Sequence, residues 1–389
     1  MTTARARGDW VLPGSMFIGT FAWSFVYVSL PFYIQSISPL DAAATLRWTG
    51  WILGISPLIT VITAPISGQL GERIDPKRGF ITVQACQGVG FFLMAVARSL
   101  SELFFARLLL GLMGAVSTFA FIMVGRSGGD VRRGVSGIQS GMTLGQVLGP
   151  AAGAVVASRV GFKLSFFLAG LMLLGCSAMV AWGVPRQGTA RAVERPGGMA
   201  SLREVGTVCL LVLAGSTQVF FLTAILPQVL PQLGVAPGAM LEVGGLILFA
   251  SGMAAALGSL AAPRLGELIG DRRAVPWFLV GSSLLLAALA LAHDVWSFSV
   301  LRFLQVLFIA PIFPLSVAAI AHRASGGAIG FVNSGRIGAA FVGPVAATTL
   351  LAWLPPAAVY LVLAALGLGL LPLVLGLAPP YTAREGIAP

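Results

Sequence analysis

The chain has 389 residues, of which 57% are hydrophobic and only 10% charged, with a mean hydropathy of +0.93. A soluble domain carries roughly 25% charged residues, so this surface cannot be covered for water and most of it must face lipid. The net charge of +11 does not point to nucleic acid, because the basic residues sit in short loops between apolar runs rather than in one groove-binding patch.

Apolar runs long enough to cross a bilayer, about 20 residues each, recur from end to end. They predict an all-α membrane protein with twelve spans, at 12–34, 48–70, 80–97, 103–124, 135–157, 165–184, 205–226, 241–262, 275–292, 297–318, 329–352 and 357–376. Arg5 and Arg7 precede the first run, but that run is too long for a signal-peptide core and no small-residue cleavage site follows it, so it reads as a retained span. Span 1 is aromatic, with Phe17, Phe21, Trp23, Phe25, Tyr27, Phe32 and Tyr33, and holds no acid. Such rings suit a permissive cavity for flat organic molecules, and equally suit lipid contact or an interfacial belt. Gln35 near its end, and Gln218 and Phe221 in span 7, are further cavity candidates.

The turn between spans 2 and 3 reads Gly68-Gln-Leu-Gly-Glu72-Arg73-Ile-Asp75-Pro-Lys77-Arg78. A tight turn with fixed charges can lock neighbouring helix ends, and it also serves as plain basic anchoring. Span 4 carries Arg107 in Leu103-Phe-Phe-Ala-Arg107-Leu-Leu-Leu-Gly111. An arginine within a span marks a functional group by default, although Arg107 lies only about one turn from the outer end and can alternatively snorkel to headgroups. Span 5 repeats glycine every four residues, at Gly137, Gly141, Gly145, Gly149 and Gly153, which keeps a bare stripe on one face for close helix approach. Pro150 in that run removes a backbone donor.

Residues 185–203 form a polar, turn-rich connector that divides the chain into six-helix bundles at 1–184 and 204–389. Glu242, at the start of span 8, is the one carboxylate with a claim to lie within the membrane, where desolvation assists titration near neutrality; the alternative is a solvated helix N-terminus that complements the dipole. Span 10 carries Arg302 with Gln305 one turn later, and span 11 carries Arg336 with Asn333. Cys86, Cys176 and Cys209 lie singly in apolar stretches without metal-ligand spacing and read as buried hydrophobes.

The two halves repeat at a shift of about 195 residues: Leu30-Pro31 with Leu226-Pro227, Arg107 with Arg302, Ser140-Gly141 with Ser334-Gly335, and Gly149-Pro150 with Gly343-Pro344. Parallel repeats imply a pseudo-two-fold along the membrane normal and a substrate held near the midplane. Lysines and arginines number 17 on the side of the termini and 4 on the other, with three inside spans, so the positive-inside rule places both termini in the cytoplasm.

The run Gly145-Gln-Val-Leu-Gly149-Pro150-Ala-Ala-Gly153 resembles the fifth-helix antiporter motif of the major facilitator superfamily, with Ala154 in place of its final glycine. The 68–78 turn resembles the signature loop of that superfamily, with Glu72 for the usual aspartate and Asp75 for a glycine. Span 4 is similar to its fourth-helix motif, with Leu110 where a polar residue is usual. Taken together the chain resembles twelve-span drug:proton antiporters over its whole length. The resemblance implies the major facilitator fold, export of small organic molecules, alternating access and a role for Arg107 in proton coupling.

These readings give an inner-membrane secondary transporter that exports small amphipathic compounds or drugs by proton antiport, working as a monomer without metal or cofactor. The substrate and proton pathway is expected at Arg107, Glu242, Arg302, Gln305, Asn333 and Arg336. Conformational control is expected at Gly68, Glu72, Arg73, Lys77, Arg78, Gly145, Gly149, Pro150 and Gly153. A dedicated exporter of an anionic metabolite such as a siderophore is the alternative, since three intramembrane arginines face one candidate carboxylate. Against an enzyme, no span carries paired carboxylates or a nucleophile with a base, and His293 and His322 fall in loops on opposite sides. No Walker-type phosphate loop is present. A non-transporting sensor built on a transporter fold is the remaining class.

Overall fold

A computed structural model describes residues 2–114, 116–126, 131–185, 201–269, 271–321 and 326–376. The predicted linker falls almost wholly outside the described residues, as does His322, and the side chains of Gly68 and Glu72 lie outside them as well. Every regular element among the described residues is helical, as lipid demands when each backbone N–H must find its partner inside its own segment.

Ten described segments are long and apolar enough to cross a membrane: Trp10–Ile37, Ala42–Ile66, Pro76–Val96, Leu100–Arg126, Phe162–Gly183, Leu202–Gln232, Pro237–Ile269, Arg273–Leu291, Val295–Ala318 and Pro356–Leu375. Two further long helices, Val131–Val160 and Gly326–Leu351, stand where spans 5 and 11 are predicted and complete the twelve. The protein is a multi-pass membrane protein. Large apolar side chains such as Trp182, Leu260, Leu268 and Trp277 are mostly exposed, as expected where hydrocarbon rather than water is the solvent.

Several spans are broken, and local chemistry explains where. Span 1 stops at Tyr27 and restarts at Leu30, with Pro31 in the first turn of the second piece. The Ser29 hydroxyl there donates to the Val26 carbonyl at 3.0 Å. The repeated Leu226-Pro227 lies within an unbroken helix, Leu202–Gln232, so the same dipeptide has different backbone consequences in the two halves. Span 4 breaks after Leu112, and span 10 breaks between Ile309 and Ile312, at Pro311. Spans 4 and 10 start on matching caps. Ser99 accepts the Glu102 N–H at 3.3 Å, and Asp294 accepts those of Trp296 and Ser297 at 2.8 and 3.0 Å.

The chain divides into two compact units: 1–193 with 220–253 and 340–354, and 194–219 with 254–339 and 355–389. The first packs around Leu12, Met16, Phe80, Phe119, Met123 and Ile138. The second packs around Leu211, Phe278, Leu279, Ile309 and Ile312.

Within the first unit the glycine stripe of span 5 lies on the backbone of span 1. A methyl carbon added at Gly141, Gly145 or Gly153 would run into the carbonyl of Pro13, Phe17 or Phe25, and one at Gly149 would come within 2.9 Å of the Phe21 carbonyl oxygen. Span 5 also meets span 8, where a methyl at Gly245 would lie 2.9 Å from the Pro150 carbonyl and one at Gly252 would lie 3.2 Å from the Val147 Cα. Small residues thus let span 5 approach two helices at backbone distance. Span 2 meets the C-terminal part of span 11 in the same way, with Gly50 against Pro344 and Val345, and Gly54 against Phe341.

Candidate functional site

Arg107 is 1% exposed. Instead of reaching towards headgroups, its guanidinium turns onto span 2, where Nε donates to the Ile52 carbonyl at 3.1 Å and Nη2 to the Leu53 carbonyl at 3.0 Å. The sequence explains the second acceptor. A helical carbonyl normally receives the N–H four residues on, and for Leu53 that residue is Pro57, which has none. The arginine supplies the missing donor.

Arg107 also lies over the Trp23 ring, 5.2 Å from its centroid, a cation–π contact that is strongest where water is excluded. Trp23 Nε1 donates to Gln87 Oε1 at 3.1 Å, and Gln87 Nε2 donates to the Met113 carbonyl at 2.6 Å. Ser56 hydrogen-bonds the Arg107 carbonyl through its hydroxyl. Spans 1, 2, 3 and 4 are thereby tied at one buried cation, with the Tyr27 hydroxyl buried and without a hydrogen bond.

Arg302, at the repeat position, is also 1% exposed. Its Nη1 donates to the Gln218 carbonyl at 2.8 Å and to Gln305 Oε1 at 2.6 Å, and its Nη2 donates to the Val219 carbonyl at 2.7 Å. Gln305 Nε2 passes the chain on to Gln218 Oε1 at 3.2 Å, and Gln218 Nε2 donates to the Ser283 hydroxyl at 3.3 Å. Span 12 closes over this network with Gly367. A methyl there would lie 2.5 Å from Gln218 Nε2 and 2.6 Å from Ser283 Oγ.

Arg336 is placed differently. It is part-exposed, its guanidinium carbon is 5.2 Å from the centroid of the Phe313 ring, and its Nε is buried without a hydrogen bond. Asn333 precedes it by three residues on the same helix, close to the same face.

Glu242 stands in the first turn of its helix, Met240–Ile269, part-exposed, and accepts a hydrogen bond from the Ser158 hydroxyl of span 5 at 2.8 Å. It is therefore an end-of-span group, far along the helix from any midplane position. In the turn between spans 2 and 3, Asp75 caps the helix Pro76–Val96 by accepting the Lys77 N–H at 3.0 Å. Lys77 Nζ donates to the Ala181 carbonyl at 2.7 Å, an end-of-helix acceptor left open because Pro185 follows four residues later. Arg73 and Arg78 are exposed.

Gln87, Ser283 and Gly367 escaped the sequence-based site, and Trp23 and Gln218 were only secondary candidates in it. The repeat shift held the signal for most of them. Trp23 and Gln218 are 195 residues apart, Gln87 and Ser283 are 196 apart, and each pair occupies matching places beside its arginine.

The family model described as Major Facilitator Superfamily matches residues 14–244 and again 207–388. A Bacillus subtilis (strain 168) protein named "Uncharacterized MFS-type transporter YuxJ" is 27% identical over 334 residues, covering 81% of this chain and 83% of that one. "Multidrug resistance protein MdtG" of Serratia proteamaculans (strain 568) is 25% identical over 301 residues, covering 73% and 71%. Among solved structures, the human organic anion transporter MFSD10 superposes with a TM-score of 0.71 at 16% identity, over 95% of this chain and 99% of that one. The nucleoside transporter NupG gives 0.73 at 13% identity, over 94% and 98%. At such identities these structures share the fold.

Proposed function

The chain belongs to the Major Facilitator Superfamily, and from that premise we propose that it exports small amphipathic organic compounds across the bacterial inner membrane by alternating access, in exchange for protons. Both termini lie in the cytoplasm in this reading, and the bundles 1–184 and 204–389 are its two moving halves. The observation that carries it is the close packing of span 5 against spans 1 and 8 along its glycines, where the contacts are backbone and small side chains such as Thr20, Ser24 and Ala154. A helix face of glycines and small side chains has little interdigitation to unlock as it shears past its neighbour, which is what a carrier helix must do in each cycle. The relatives named for multidrug resistance support the export direction and the cargo class.

Proton exchange assigns Glu242 the part of a rim carboxylate. It accepts a hydrogen bond from the Ser158 hydroxyl, which joins span 8 to span 5. An inward elementary charge releases about 2.3 kcal/mol per 100 mV, enough to drive useful accumulation outside. The test is dye export from proteoliposomes holding the purified protein under an imposed pH gradient. Uphill export that a protonophore abolishes supports the reading, and absence of substrate-dependent flux rejects it. A dedicated exporter of an anionic metabolite is the second reading, favoured by the lone cation at Arg336.

A further inference from the structure

Of the three intramembrane arginines, two donate at least two hydrogen bonds each to the protein. Arg107 is held by two carbonyls and an indole, and Arg302 by two carbonyls and a glutamine. Arg336 has no such partners. Among the described residues no hydrogen bond reaches it, its Nε is buried and unsatisfied, and no acidic group acts on it. Ten residues separate it from the start of its helix at Gly326, a rise of about 15 Å that places it near mid-depth in a helix of 26 residues.

A guanidinium presents five N–H donors in a planar fork that matches a carboxylate, sulfonate or phosphonate. At that depth it is costly to leave without a counter-charge. The side chains around it are mostly apolar. Phe313 faces the guanidinium, and one turn before Arg336 Val332 joins a cluster with Val208, Val212 and Ile320. Polar capacity beside this surface is unspent. Ser316, one turn beyond Phe313, is buried with its hydroxyl unbonded, and Asn333 offers an amide one turn before Arg336.

We propose that Arg336, flanked by Asn333 and Phe313, is the subsite that receives the charged group of the transported molecule, so that the cargo is an amphipathic organic anion with an apolar body. This rests on the export reading and narrows it, because a fixed and uncompensated positive charge within the span repels cationic drugs. Arg107 and Arg302 are left as clamps between helices.

Binding is measured on the purified full-length protein in lipid nanodiscs with radiolabelled 1-naphthoate, octanoate and decanesulfonate, each competed by its neutral methyl ester. The acids are expected to bind at least tenfold more tightly than the esters, and 1-naphthylmethylamine more weakly than either. Arg336→Gln removes the preference for the acids, and Arg336→Lys keeps part of it. The proposal is overturned if none of the three acids binds more tightly than its ester in the native protein, a comparison that needs no variant. It is overturned equally if Arg336→Gln folds and retains the preference. Energised dye export without any preference for acids removes this inference and spares the export reading; Arg336-dependent binding of acids without flux does the reverse.

Discussion

Arg107 and Arg302 occupy the same position in the repeat and are equally buried, yet they hold different helices. Arg107 reaches span 2 and rests on an indole, whereas Arg302 reaches span 7, the counterpart of span 1, and enters a chain of amides. In both cases the charge is met by carbonyl dipoles rather than by a carboxylate. The difference lies in how each acceptor becomes available. Beside Arg107, Pro57 frees a carbonyl and Trp23 supplies a π face. Beside Arg302, the matching position is Gln218, whose side chain and backbone both take part. Duplication conserves the location of a buried cation, and single neighbouring residues then decide which helix it clamps.

The comparison is broken most severely by Arg302→Met. This change leaves Gln305 Oε1 without its donor and removes a second hydrogen bond from two carbonyls that keep their helical N–H partners at Leu222 and Thr223. The expected destabilisation is about 3 kcal/mol. It is read as a large drop in the melting temperature of the detergent-solubilised protein. A drop no larger than that of a typical surface variant would show that the network is dispensable.

Trp23→Leu removes the ring under Arg107 and the donor to Gln87, for a loss of about 2 kcal/mol at a desolvated site. Gln218→Leu leaves no cation–π contact to lose. Transport assays on the pair should therefore respond differently to an added Arg107→Lys, which worsens the native protein more than it worsens Trp23→Leu.

Pro57→Ala is a finer instrument. It returns a helical N–H to the Leu53 carbonyl, so Arg107→Gln is expected to cost about 1 kcal/mol less in that background than alone. Additive effects in the double-mutant cycle would show that the freed carbonyl is not what holds the guanidinium.

The smallest expected effect separates the caps of spans 4 and 10, Ser99 and Asp294, which also lie 195 residues apart. The Asp294 carboxyl is held below the ordinary carboxylate range, first by the Ser297 N–H and then by its hydroxyl, with the Trp296 N–H adding to them. Its contribution is therefore full above the usual carboxylate pKa and is lost as pH falls through the depressed value. Hydrogen-exchange protection at the start of span 10, corrected for the intrinsic rate at each pH, should fall at acid pH in the native protein and lose that dependence in Asp294→Ser. The start of span 4, capped by a hydroxyl, should show no such dependence from its cap.

Sequence alone determined the spans, the repeat, the positions of the three membrane arginines and the glycine stripe of span 5. Each of these is local in origin: an apolar run of bilayer length, a constant shift, a charge where charges are scarce, and a four-residue period. What only tertiary structure decided is partnership. Backbone carbonyls carry no residue-specific signature, so nothing in the string shows that Arg107 will turn to Leu53 rather than to headgroups, or that Arg336 will lie against the Phe313 ring. The four-residue step from Leu53 to Pro57 is visible in the sequence, but it acquires meaning only once span 4 is seen to lie against span 2. Glu242 and Asp75 show the same limit: one accepts a hydroxyl at the end of span 8 and the other caps span 3, roles set by what the fold brings within 3 Å of each.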